Sequence, residues 1–134
     1  MVALVTGASS GIGRDIAIEL AKIKYDIIAI ARNEEALIKL KEEVAYQKGQ
    51  VVSKTLAQNE ALSVTLFSFD KGEEISSHKS GGDAFVTCLD GEGEITIDDV
   101  KYILHEGESI VMPAGLPHAV YGKEQFKMLL VVVF

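Results

Sequence analysis

Apolar residues follow two different periods along the chain, and the change falls near residue 44. Residues 1–6 and 26–31 are apolar runs of strand length, and apolar residues three or four positions apart follow each run, as on one face of a helix. Asn33 is the expected N-cap of the second helix. The pattern therefore predicts β-α-β-α over residues 1–43. The two helical sets are Ile12, Ile16, Leu20 and Ile23, then Leu37, Leu40 and Val44.

After residue 50 the helical spacing disappears, and short apolar runs alternate with turns rich in Gly and Asp. Asp98 and Asp99 are the expected turn of one hairpin. Strands at this spacing are typical of a sandwich or a small barrel. We therefore predict an α+β protein, with a β-α-β-α segment over residues 1–43 and an all-β domain over residues 44–134. The runs cover residues 62–69, 84–89, 94–97, 101–104, 108–112, 118–121 and 128–134.

Charge and cysteine content narrow the expected partners and compartment. The 134 residues carry a formal net charge of -7 without a run of Lys or Arg, so we expect neither nucleic acid nor an anionic membrane as a partner. Cys88 is the single cysteine, so no intrachain disulfide can form, which agrees with a reducing compartment. No apolar run is long enough to span a bilayer. We expect a cytoplasmic protein.

A glycine-rich stretch, VTGASSGIG, joins the first predicted strand to the first predicted helix. Its three glycines let the backbone approach a pyrophosphate, which would meet free N–H groups at the helix N-terminus. Together with DIIAIARNEEAL, this stretch resembles the short-chain dehydrogenase/reductase family over about residues 2–43. The resemblance implies a Rossmann-like fragment, and Arg32 implies a preference for NADP. The cofactor-binding positions that it implies are Gly7, Ser9, Ser10, Gly11, Ile12, Gly13 and Arg32.

The catalytic residues of that family are missing from this chain. The family has a Lys four positions after its catalytic Tyr, whereas the four tyrosines here are followed at that distance by Ala29, Gln50, Glu106 and Gln125. We therefore assign no catalytic residue and expect no useful affinity for NADP. Two parallel strands rarely stand alone, because both faces and both edges need cover, so we expect a homodimer. Whether the two halves form a natural or an engineered fusion stays open.

Two stretches of the second half carry a second resemblance. They read GEEISSHKSGGDAFVTCLDG from residue 72 and GESIVMPAGLPHAVYG from residue 107, and they resemble the two motifs of the cupin superfamily. The resemblance implies a double-stranded β-helix, or jelly-roll, barrel over residues 44–134, and it also favours a dimer. The matching positions are Gly72, His78, Gly91, Gly107, Pro113, Gly115 and His118.

The resemblance also implies a divalent metal site built from three His and one Glu, a donor set that suits Fe(II), Mn(II), Ni(II) or Zn(II). This chain keeps His78 and His118, but Ser80 and Ala84 occupy the other two positions. Cys88 lies four residues after Ala84 and shares its strand face, so it is a candidate third ligand. The alternative is that Cys88 is a small buried core residue.

Three functions stay open at this point. The first is a small cupin that binds a small molecule in its barrel and does little or no chemistry, which the lost ligands favour. The second is a metal-dependent cupin enzyme of dioxygenase or isomerase type, which His78 and His118 favour. The third is an NADP-binding oxidoreductase, which residues 1–43 alone favour. Asp83 is expected on the opposite strand face and His105 in a surface turn, so neither is assigned to a site.

Overall fold

The computed structural model describes residues 2–6, 26–30 and 34–134, with side chains from Ile38 onward. The first predicted helix, Asn33 and all seven cofactor-binding positions lie outside the described residues. Contacts divide the chain into two units, Met1–Ile38 and Lys39–Phe134. This boundary falls a few residues before the one at 43/44 that the sequence predicts.

In the first unit, strands β1 (Val2–Thr6) and β2 (Asp26–Ile30) pair in parallel, with Thr6 opposite Ile30. Both are predicted strands. Helix α1 (Glu34–Glu42) follows and runs across the unit boundary. The prediction that Val44 belongs to this helix is wrong. Val44 lies beyond its end and is buried in the second unit, because tertiary packing and not helical spacing requires an apolar residue there.

The second unit contains a seven-stranded, antiparallel sheet. Its pairing order is β3-β4-β9-β6-β7, while β5 adds to β9 and β8 adds to β6. Within the described ranges, no helix has the length and apolar character that crossing a bilayer requires. The strands are β3 (Val51–Gln58), β4 (Leu62–Phe69), β5 (Glu74–Lys79), β6 (Asp83–Ile97), β7 (Val100–His105), β8 (Ser109–Met112) and β9 (Pro117–Val133).

Two strands are longer than the sequence predicts. The runs at 84–89 and 94–97 both belong to β6, and those at 118–121 and 128–134 both lie largely in β9, so predicting them as separate strands is wrong. The register between β6 and β9 shifts near Cys88 and again between Gly91 and Gly93, which bends both strands without ending them. A Cβ atom at Gly93 would collide with the Phe126 ring at 2.5 Å, so only glycine fits at this bend.

The barrel core lies on one face of these strands. Along β6, Ala84, Val86 and Cys88 are buried in turn while Asp83 is exposed, so inward and outward positions alternate as expected for a half-buried strand. Phe69 and Phe126 pack together with their ring centroids 5.6 Å apart. The described pairing path ends at β3 and β7, which do not pair with each other, so the barrel is an open one.

The segment after α1 belongs to the barrel unit and packs against its strands. Tyr46 donates a hydrogen bond from its hydroxyl to Asp90 Oδ2 at 2.7 Å, and Ser68 Oγ donates to the Ala45 carbonyl at 2.8 Å. The Lys127 ammonium lies 4.7 Å from the centre of the Tyr46 ring, a cation–π contact. Burial and the Asp90 carboxylate both raise the pKa of Tyr46. The phenol is therefore a fixed donor at any ordinary pH.

The turn between β6 and β7 is a two-residue hairpin, as the sequence predicts. Asp98 and Asp99 take positive φ angles of 46° and 64°, the left-handed conformation that a type I′ turn requires at both central residues. Ile97 and Val100 pair directly on either side. This turn fixes the register of β7 on β6.

Candidate functional site

The site is a pair of histidines that strands β5 and β9 place opposite each other. His78 and His118 are directly paired across the two strands, after a register shift in β5 between Ile75 and His78. Directly paired residues point to the same face. Their imidazole centroids are 4.5 Å apart, and the ring planes meet at 66°. The structure therefore brings together the two motif histidines that the sequence singles out.

Backbone carbonyls fix the orientation of both rings. His78 Nδ1 lies 2.9 Å from the Ser76 carbonyl oxygen, and His118 Nδ1 lies 3.1 Å from the Leu116 carbonyl oxygen. A carbonyl oxygen only accepts, so each Nδ1 carries the proton and donates it. Each Nε2 is then left with a free lone pair, as in histidines that accept a hydrogen bond or ligate a metal.

The two rings differ in exposure. His118 is 3% exposed, whereas His78 is exposed to solvent. Burial lowers the pKa of His118, and the neighbouring His78 lowers it further, while the hydrogen bond to Leu116 acts in the opposite direction. His118 is therefore a neutral acceptor at neutral pH, and His78 forms the solvent side of the pair.

The side chains around the pair are apolar. Residues that pair across β5, β9, β6 and β7 form rows on the inner face of the sheet. One row contains the two histidines followed by Ile97 and Val100, and the next contains Ile75, Val120, Ile95 and Tyr102. The ends of the first row reach solvent, since Val100 is 52% exposed.

The sequence does not single out Ile75 and Ile97 as parts of the site. Ile97 lies opposite His118 but on a different strand from both histidines, so alternation along β5 or β9 does not find it. Ile75 shares β5 with His78, but the register shift between them breaks the alternation there.

The two positions where cupins carry further ligands do not supply them here. Ala84 is buried on the inner face at 1% exposure and has no donor atom. Ser80 Oγ accepts a hydrogen bond from the Gly82 amide at 3.2 Å. Asp83 is exposed and accepts from the Ala114 amide at 2.9 Å, so its carboxylate faces away from the interior, as expected.

Cys88 is buried on the same strand face as Ala84, but its surroundings differ from those of the histidine pair. It pairs with Met128, whereas His118 pairs with Ile97 at the far end of β6. Its thiol points to the Asp90 and Gly91 carbonyls at 3.5 and 3.6 Å. Burial raises the pKa of the Cys88 thiol to about 12, so it stays protonated. The structure does not bring Cys88 together with the pair.

His105 lies on the surface, as expected. Its ring contacts two carboxylates, with Nδ1 at 3.2 Å from Glu108 and Nε2 at 3.5 Å from Glu92. Its side chain is 60% exposed. His105 is therefore a surface control for experiments on His118.

A resident metal ion does not fit the side chains of this site. Among the described residues, no three His, Cys, Asp or Glu side chains are grouped so that they could hold a metal ion. The pair offers two imidazole Nε2 atoms, and the inner positions that pair beside them are apolar. Structural metal sites ordinarily have four ligands and catalytic sites three. We therefore derive no chemical step through a metal.

Comparisons with known proteins give each half a family. Residues 65–134 match the cupin domain family, and residues 1–65 match the short chain dehydrogenase family. A very-long-chain 3-oxoacyl-CoA reductase of Aspergillus oryzae is 36% identical over 57 residues, which are 42% of this chain and 16% of that protein. The chain thus spans less than a fifth of that curated relative.

Solved structures resemble the second half. A conserved protein of unknown function from Streptococcus pyogenes is 55% identical, with a TM-score of 0.68, over 70% of this chain and 82% of that one. A cupin 2 conserved barrel domain protein from Leptotrichia buccalis is 49% identical, with a TM-score of 0.69, over 70% of this chain and 46% of that one. With its open barrel and its paired motif histidines, the chain belongs to the cupin family, and a segment similar to short-chain dehydrogenases precedes its barrel.

Proposed function

We propose that this protein is a binding module that takes a small molecule at the inner face of its cupin barrel, through His78 and His118. The observation that carries the proposal is the orientation of the two rings. Both Nδ1 atoms are held by backbone carbonyls, so each Nε2 presents a lone pair, and no hydrogen bond joins either Nε2 to the described residues. Such preorganised acceptors on an apolar wall are typical of small-molecule sites, where a few polar groups fix the orientation of the ligand.

Exposure supports a ligand and not only a structural role. A histidine that merely completes the core would be buried and satisfied at both nitrogens, whereas His78 is exposed and makes its ring hydrogen bond through Nδ1. We propose that the molecule approaches from the exposed side of His78. The protein's part is to bind and orient this molecule, and no side chain here is assigned to proton transfer.

The test is a ligand-observed NMR screen of a fragment library that contains uncharged, anionic and cationic compounds. It compares the wild type with His118→Phe and with the surface control His105→Phe. We expect a set of compounds to bind the wild type and the His105→Phe variant and to lose binding in His118→Phe. The proposal is wrong if no compound depends on His118, provided that circular dichroism shows the variant folded. His118→Ala, which also removes the acceptor, is the second variant if His118→Phe does not fold.

A metal-dependent cupin enzyme is the second candidate, and the free Nε2 atoms are the observation in its favour. Metal content by mass spectrometry, measured after incubation with Fe(II), Mn(II), Ni(II) or Zn(II), distinguishes the two. Near-stoichiometric metal that disappears in a His78→Ala/His118→Ala double variant would favour the enzyme. We expect substoichiometric metal in both proteins.

Dimerisation and nucleotide binding are proposed separately. We propose a homodimer, which light scattering on the full chain tests.

We also propose that the segment similar to dehydrogenases binds NADPH with a dissociation constant above about 1 mM, which corresponds to a standard binding free energy of only about 4 kcal/mol. A fluorescence titration that saturates in the micromolar range would contradict this.

A further inference from the structure

We infer that the barrel-interior site selects an uncharged molecule that donates a hydrogen bond, such as a phenol or an alcohol, over a carboxylate or an amine of the same size. The inference rests on the proposed function and names its ligand class. The observation behind it is that no Asp, Glu, Lys or Arg is among the buried side chains of the described residues.

Charge is excluded from the barrel interior in the part of the chain that the structure describes. The buried polar side chains there are Thr65, Ser68 and His118, and none of them is Asp, Glu, Lys or Arg. No Asp, Glu or Cys joins the two histidines in a group that could hold a cation. Glu74 and Glu94, by contrast, pair with Tyr121 on the outer face. These two carboxylates therefore lie on the outer face of the sheet, away from the histidine pair.

The absence of charge decides which ligands can be desolvated here. An ion that leaves water for an apolar site must be compensated by an opposite charge or by several hydrogen bonds. A carboxylate needs donors, but each Nε2 is an acceptor because each Nδ1 already carries the proton. An ammonium would find acceptors, but no carboxylate of the described residues is grouped with the two histidines. A neutral O–H donor meets Nε2 of His118 without either cost.

The walls of the site define the rest of the molecule. Ile97 lies beside His118, and the next row places Ile75 and Val120 behind the pair. Tyr102 is on the same inner face and is 43% exposed. An apolar or aromatic body with a single hydroxyl group matches this arrangement, with the hydroxyl directed at His118.

The test uses four compounds that share a benzene ring: phenol, anisole, benzoate and benzylammonium. Dissociation constants are measured by chemical-shift titration of ¹⁵N-labelled full-length protein at pH 7.5. The wild type is compared with His118→Phe, His118→Gln and the control His105→Phe. We expect phenol to bind at least about tenfold more tightly than the other three compounds, which is about 1.4 kcal/mol. We also expect His118→Phe to lose this preference, and His118→Gln and His105→Phe to retain it.

The outcomes separate this inference from the proposed function. If benzoate or benzylammonium binds at least as tightly as phenol and depends on His118, the ligand class is wrong while the proposed function stands. If phenol shows no binding that depends on His118 up to about 10 mM, the inference is also overturned. The proposed function fails only if the wider fragment library finds no compound that depends on His118.

Discussion

Restoring the missing acid at Ala84 is the sharpest perturbation that the structure offers. Ala84 is 1% exposed and faces inward at the position where cupins carry a Glu ligand. Ala84→Glu would restore the carboxyl group that the cupin motif has at this position, and Ala84→Gln is a control of nearly the same volume without a charge. We expect the Glu variant to be unstable without metal and to gain metal affinity that the wild type lacks.

The expected destabilisation has two parts. Filling a packed site with a larger side chain costs about 1–3 kcal/mol, and both variants carry this cost. The carboxyl alone adds a cost from ionisation, because burial in an apolar site raises the pKa of a Glu by several units. If the folded pKa exceeds 7, the difference from an unfolded pKa of about 4.3 costs about 3–4 kcal/mol at pH 7.

The sign of the pH dependence follows from that shift. Above about pH 4.3 the unfolded carboxyl ionises while the folded one stays protonated, so the stability of Ala84→Glu falls as pH rises toward the folded pKa. Ala84→Gln shows no such fall. Thermal unfolding at pH 5 and pH 7.5 measures it, and a gap of about 10 °C or more between the variants at pH 7.5 is expected for a domain of this size.

Zn(II) supplies the second measurement. Metal at a hundredfold excess over its dissociation constant stabilises a folded protein by about 2.7 kcal/mol, so Zn(II) should raise the melting temperature of Ala84→Glu. It should leave Ala84→Gln and the wild type nearly unchanged. If the wild type responds as strongly as the Glu variant, the conclusion that two imidazoles are too few donors is wrong. If Glu and Gln variants melt together at both pH values, the interior is not the uncharged environment described above.

Three further predictions concern single side chains. Cys88 should resist iodoacetamide at pH 8 in the native protein and react in urea, because the pKa of its buried thiol is about 12; rapid native labelling contradicts this. Because folding lowers the pKa of His118, the free energy of unfolding should fall as pH drops below about 6.5. The fall should be less steep in His118→Asn. Urea titrations at several pH values test this, and an equal pH dependence in wild type and variant contradicts it. Tyr46→Phe loses a hydrogen bond to the Asp90 carboxylate and should lower the free energy of unfolding by about 1–3 kcal/mol. Tyr102→Phe, on the exposed edge of the sheet, should change the free energy of unfolding little. Similar values for the two variants would show that the Tyr46 hydrogen bond contributes nothing to stability.

Strands rich in buried apolar residues could be predicted from the sequence, and strands with mostly exposed side chains could not. The run at 62–69 coincides with β4, because its apolar residues are buried on both faces. β3 and β5 were not predicted. β3 is an edge strand with mostly exposed side chains, and β5 contains a single apolar residue, Ile75, so neither shows the expected alternation.

The candidate site divides in the same way. Motif spacing was enough to select His78 and His118, and strand alternation placed Asp83 outward and Ala84 inward. The sequence could not show that backbone carbonyls hold both Nδ1 atoms, because that depends on ring orientation. Alternation also made Cys88 a candidate ligand, because it shares a strand face with Ala84. Position along a bent strand is not encoded in alternation.

The structure also shows that sequence similarity and folding divide this chain at different places. The match to the short chain dehydrogenase family extends to residue 65, yet contacts assign everything from Lys39 onward to the barrel unit. Val44 is buried there, and β3 pairs along its length with β4. A run of similar residues is not a folding unit when its side chains complete another core.

The first unit is therefore shorter than the stretch that matches the dehydrogenase family. It ends at Ile38, and its described sheet has two strands. A dinucleotide site needs walls for the adenine and the nicotinamide as well as a turn for the pyrophosphate, and in an open α/β sheet further strands supply them. The residues after Ile38 belong to the barrel unit, and the described sheet of the first unit has no strand beyond β1 and β2. We therefore look for the proposed ligand at the histidine pair, where backbone carbonyls orient both imidazole rings.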